Sequence, residues 1–215
     1  MLGVYNYTVW MTYSGMLLSY AGITFTLNEN YRAALLCLMI AGVLDMLDGK
    51  VASTKKDRSE GQKAFGIQID SMCDIISYGV LPALFVYKIN GFHRFSGIIS
   101  GLYLLCALIR LCWFNVDEAQ RQERTSEERN EYRGLPVTSA AIILPFVFIV
   151  CRFLCNRIGS PDLFDSRVEI WSSATLSVMG IFFITPFRMK KPHWTGKAIL
   201  SLIGLAELII LFIEK

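Results

Sequence analysis

The stretch DMLDGKVASTKKDRSEGQKAFGIQIDSMCD, residues 45–74, lies between long apolar runs, and four of its aspartates, Asp45, Asp48, Asp70 and Asp74, stand at helical spacing. An i, i+3 pair and an i, i+4 pair each project from one helix face, because about 3.6 residues make a turn. Two helices therefore suffice to bring four carboxylates to one place. An ionised carboxylate at the edge of an apolar run is costly unless it is paired or binds a cation. The simplest cation for such a set is a hard divalent metal with oxygen ligands, two ions for four carboxylates. The alternative, four aspartates in a solvated loop, conflicts with Asp74, which sits inside the apolar run FGIQIDSMCDIISYGVLPALFVY.

Outward from this stretch the chain reads as a polytopic membrane protein. Of its 215 residues, 53% are hydrophobic, and the mean hydropathy is +0.44. The apolar residues fall into seven blocks, at 6–27, 31–48, 66–87, 95–115, 135–157, 169–187 and 197–213. Each approaches the ~20 residues that cross a bilayer. The expected fold is all-α, a bundle of about seven transmembrane helices forming one domain over residues 1–215. The first block has no basic residue before it and no small-residue cleavage site after it, so it reads as a retained span rather than a signal peptide.

Lys and Arg set the orientation. The segments after spans two, four and six carry thirteen of them and the opposite side seven, with Arg110 left inside span four. The positive-inside rule then places the N-terminus and the aspartate-bearing connection in the cytoplasm. The net charge of +3 is thus a topology signal, not a nucleic-acid footprint. All six cysteines lie in apolar spans with no CxxC pair, and they read as small buried hydrophobes. Residues 54–63, TKKDRSEGQK, read as a solvated connection, and so does Asp117–Arg133.

The pattern Asp45-x-x-Asp48-Gly49-x-x-Ala52, followed by Gly66-x-x-x-Asp70-x-x-x-Asp74, resembles the motif of the CDP-alcohol phosphotransferases, integral membrane enzymes of phospholipid synthesis. This chain departs from it in having Ser53 where the family usually has Arg, and in a longer spacer before Gly66. The blocks FGIQIDSMCDIISYGVLPA, RLCWFN and YRGLPVTSAA are similar to those of the membrane-embedded phosphatidylserine synthases, although Trp113 stands where a second Arg is frequent.

The resemblance implies transfer of a phosphatidyl group from CDP-diacylglycerol to L-serine with release of CMP, at a cytoplasm-facing site in the cell membrane. It implies Asp45, Asp48, Asp70 and Asp74 as ligands of Mg²⁺ or Mn²⁺, and Asp74 also as the catalytic base. Gly49, Ala52, Ser53 and Gly66 fall where the family binds the nucleotide. A homodimer is expected from the family. The serine carboxylate or the lipid phosphate needs a cation, and the candidates are Arg110, Arg133, Arg188 and Lys191. Small residues at Gly49 and Ala52 admit a second reading, as helix-packing positions. Two rival functions remain: another acceptor alcohol (inositol phosphate, glycerol phosphate or choline), or a cation transporter using the aspartates as an ion site.

Overall fold

A computed structural model describes residues 2–124, 131–158, 162–190 and 194–213, and these described residues form seven helical rods. Helix α1 (Tyr7–Leu27) starts at Asn6, whose side chain accepts from the Thr8 N–H at 3.1 Å. A tight turn with Glu29 at φ 62° leads to α2 (Tyr31–Thr54), capped in the same way by Asn30. The third rod has three parts: α3 (Glu60–Asp74), a π-helical turn (Ile75–Val80) and α4 (Leu81–Ile89). Then come α5 (Arg94–Arg124), a short strand β1 (Glu131–Arg133), α6 (Ala140–Ile158), α7 (Asp162–Ile184), strand β2 (Arg188–Lys190) and α8 (Trp194–Ile213).

The seven rods coincide with the seven apolar blocks. Among the described residues, four stretches are long and apolar enough to span a membrane by themselves: Glu60–Ile89, Arg94–Arg121, Val137–Cys155 and Arg167–Ile184. Ser201–Ile213 is a shorter apolar helix. Helices α1 and α2, of 21 and 24 residues, pack against each other as an antiparallel pair.

Small residues set how closely the rods approach. A Cβ on Gly22 of α1 would stand 2.9 Å from Leu81, and one on Gly42 of α2 would stand 2.9 Å from the Cβ of Ala141 on α6. Around these contacts Leu35, Leu38, Tyr78, Phe85, Tyr103, Leu144, Leu176 and Phe183 make a continuous core. Large apolar side chains such as Trp10, Phe95, Leu102, Phe146 and Ile181 point outward. In a bilayer that is the ordinary arrangement, because lipid tails are as apolar as leucine. All six cysteines are free; Cys112 is exposed, against the expectation of burial, and lies on the outer side of α5.

Both connections that read as polar loops are shorter than the sequence suggests. Helix α2 runs on to Thr54, and α3 starts at Glu60 because Ser59 and Gln62 form a capping box, leaving only 55–59 outside the helices. Helix α5 continues past Asp117 to Arg124, supported by an Arg121–Glu118 ion pair of 2.6 Å on one face. The two strands pair antiparallel and tie the segment after α5 to the segment after α7. Pro136 precedes a 3-10 turn (Val137–Ser139) that leads into α6.

Candidate metal centre

Asp45 and Asp48 occupy consecutive turns of α2, and Asp70 and Asp74 consecutive turns of α3, as the spacing predicts. The helices present them to one another: Asp45 lies within hydrogen-bonding reach of Asp74, and Asp48 within reach of Asp70. Carboxylate oxygens of Asp45, Asp70 and Asp74 all lie within 4.8 Å of one another. Carboxylates so placed repel, and a cation is the counter-charge that relieves them. The donor set is oxygen only, without histidine, which fits a hard divalent ion such as Mg²⁺ or Mn²⁺.

Asp48 stands apart from this trio. It is buried, at 8% exposure, and its Oδ2 accepts a 2.8 Å hydrogen bond from the Thr12 hydroxyl on α1. The cleft that holds the aspartates is lined by Met11, Thr12, Gly15 and Met16 of α1 together with Ala41, Cys73, Ser77 and Tyr78. Ser77 belongs to the π-helical turn that begins directly after Asp74, and its hydroxyl accepts from Ser19 at 2.7 Å. The carbonyl of Tyr78 in that turn accepts from the Tyr103 hydroxyl at 2.6 Å. A π turn within an α-helix often marks a functional position.

The remaining predicted residues separate into groups. A Cβ added to Gly49 or to Gly66 would meet nothing within 4 Å. Their lack of a side chain therefore does not serve helix packing, and the space beside them is open. Ala52 is half-buried on α2, and the exposed Ser53 hydroxyl donates to the carbonyl of Lys50 at 2.7 Å. Arg110 is buried at 6% exposure instead of reaching out to the membrane interface. Its Nε donates to the carbonyl of Leu135 at 3.1 Å, and its guanidinium lies over the Phe114 ring at 5.7 Å. Arg133 and Arg188 are Cα partners across the two strands, so the backbone brings those two positions together. Lys191 lies outside the described residues.

Sequence reasoning did not single out Thr12, Ser71 or Asn115. Ser71, beside Asp70, bonds Asn115 of α5 in both directions. Asn115 ends the block RLCWFN and so was within sight. Nothing in the local sequence distinguishes Thr12 from the other hydroxyls of α1.

Comparison with known proteins agrees with this geometry. A protein of Helicobacter pylori named CDP-diacylglycerol–serine O-phosphatidyltransferase is 26% identical over 176 residues, covering 79% of this chain and 67% of that protein. A Saccharomyces cerevisiae protein of the same name is 33% identical over 119 residues, 54% of this chain and 42% of that protein. An archaetidylserine synthase of Methanothermobacter thermautotrophicus is 32% identical over 131 residues, 60% of this chain and 52% of that protein. The chain thus spans about two thirds of the first and about half or less of the other two. The family described as CDP-alcohol phosphatidyltransferase matches residues 5–185, which include all four aspartates and every rod except α8, and the chain belongs to that family.

Proposed function

We propose that the protein is a phosphatidylserine synthase that moves the phosphatidyl group of CDP-diacylglycerol to the hydroxyl of L-serine and releases CMP. The observation that carries this is the convergence of Asp45, Asp70 and Asp74 from two helices within 4.8 Å, in a chain whose relatives bear that activity in their names. Asp45, Asp48, Asp70 and Asp74 would hold Mg²⁺ or Mn²⁺, two ions in all. When bound, these ions neutralise phosphate charge as it develops during displacement.

The chain's own residues supply the rest. The serine hydroxyl oxygen forms the new bond to the phosphatidyl phosphorus, and the bond from that phosphorus to the CMP oxygen breaks, with the electron pair leaving on CMP. The hydroxyl proton passes to the carboxylate of Asp74 as general base. The open space beside Gly49 and Gly66, with Ala52 and Ser53 on the same helix as Gly49, supports a nucleotide lying against the backbone there. Arg110, Arg133, Arg188 and Lys191 are the cations proposed for the serine carboxylate and the lipid phosphate.

The basic bias of the connections supports a site facing the cytoplasm in the cell membrane, with the diacyl tails between helices. Helix α8 packs on α6 and α2, which supports a single domain over residues 1–215. A homodimer is part of the same reading, by family resemblance. Purified protein incubated with radiolabelled serine, CDP-diacylglycerol and Mn²⁺ should yield labelled phosphatidylserine and stoichiometric CMP. Labelled product from inositol phosphate, glycerol phosphate or choline instead of serine would replace the acceptor.

A further inference from the structure

Most hydroxyls on these helices bond to their own backbone. Thr24, Thr26, Thr175 and Thr185 donate to carbonyls three or four residues back. This is the default for Ser and Thr inside a helix. Thr12 is different: it sends its proton across to another helix, to Oδ2 of Asp48 at 2.8 Å. A threonine has one hydroxyl proton, so this bond is made in place of the backbone one. Thr12 is itself only 9% exposed, and the bond is closed off from solvent.

The bond fixes the orientation of Asp48. With Oδ2 engaged toward α1, the carboxylate plane is held while the group still reaches Asp70 on α3. Without that hook, Asp48 could turn about its side-chain bonds, because it is the one aspartate of the four outside the close trio. A bond from a neighbouring hydroxyl to a ligating carboxylate sets the ligand's direction and its basicity, and its loss costs metal affinity.

We propose that Thr12 is a positioning residue of the metal centre: it orients Asp48 for the cation and makes the docking of α1 part of the site's assembly. The proposal rests on the metal reading of the four aspartates. Its consequence is that the affinity for the ion depends on a helix that contributes no carboxylate to the site.

The test is Mn²⁺ binding to the full chain in detergent, without lipid or serine, read from the electron paramagnetic resonance signal of free Mn²⁺. Thr12→Val keeps the shape and removes the donor, and it should weaken Mn²⁺ binding roughly 10- to 100-fold, the usual range for a lost outer bond. Thr12→Ser keeps the donor and should bind within about threefold of the parent. Where Thr12→Val does not fold, Thr12→Ala removes the donor without adding volume and carries the same expectation. In turnover assays, the Mn²⁺ concentration for half-maximal rate should rise in Thr12→Val, and excess Mn²⁺ should restore most of kcat. Parental Mn²⁺ affinity in Thr12→Val overturns the proposal, and so does equal weakening in Thr12→Ser, which would assign the effect to packing of the methyl group. If the parent itself binds no Mn²⁺, the metal reading fails and this proposal falls with it.

Discussion

Ser71 of α3 and Asn115 of α5 are joined by a two-way hydrogen bond: the Asn115 amide donates to the Ser71 hydroxyl at 2.8 Å, and that hydroxyl faces the Asn115 carbonyl at 3.1 Å. The pair lies one residue from Asp70 and clamps the helix that carries Asp70 and Asp74. Asn115→Ala should cost about 1 kcal/mol of stability, the net worth of an ordinary hydrogen bond. It should also lower kcat/KM by roughly tenfold or more, because a misplacement of about 1 Å at a reacting centre can cost about 100-fold. Since both residues serve one bond, Ser71→Ala combined with Asn115→Ala should lose little more than either alone. A fully additive double variant, measured by turnover and thermal midpoint, would mean that the two side chains act separately.

Asp45→Asn and Asp70→Asn should each lower activity by orders of magnitude while the protein still inserts, since each removes one anionic oxygen from the trio. Asp48→Asn should do the same by a weaker hold on the cation. Treatment with EDTA should abolish turnover, and Mg²⁺ or Mn²⁺ should restore it. Full activity after exhaustive chelation would sink the metal site.

Asp74→Asn tests the base. General-base catalysis contributes about 10²- to 10⁴-fold, so kcat should fall by at least that much while CDP-diacylglycerol binding suffers less. Parallel collapse of Mn²⁺ or nucleotide affinity would make Asp74 chiefly a ligand, in keeping with its place beside Asp45.

Arg110→Lys should raise the KM for serine strongly and that for CDP-diacylglycerol little, since an ammonium lacks the planar fork that holds a carboxylate. The substitution also removes the Nε donor to the Leu135 carbonyl. A thermal midpoint measured alongside separates that loss from the effect on serine. The opposite KM pattern reassigns Arg110 to the lipid phosphate and moves the serine role to Arg133, Arg188 or Lys191.

Spacing made the aspartates legible, because a helix converts a three- or four-residue interval into a shared face whatever surrounds it. The seven rods were legible for a similar reason: apolar length is a local property. Helix ends were less so. Polar residues at Thr54 and at Glu60 to Lys63 read as loop because composition cannot show that Ser59 and Gln62 cap each other. The strand pair was invisible, since Arg133 and Arg188 are brought together only by the packing of the rods between them. Thr12 was hidden in the same way: its partner lies 36 residues away, and only the docking of α1 on α2 reveals it.

The π-helical turn at Ile75–Val80 joins the two halves of the third rod. A π turn holds one residue more than an α turn, and one residue corresponds to about 100° of rotation along a helix. Upstream, the carboxylates of Asp70 and Asp74 face α2; downstream, Leu81, Phe85 and Val86 face the core. The two halves meet at this turn, directly after Asp74. Deleting one residue between 75 and 80 would turn the wide turn into an ordinary α turn and alter the backbone groups and side chains presented beside Asp74, Ser77 and the Tyr78 carbonyl among them, a consequence that no side-chain substitution has.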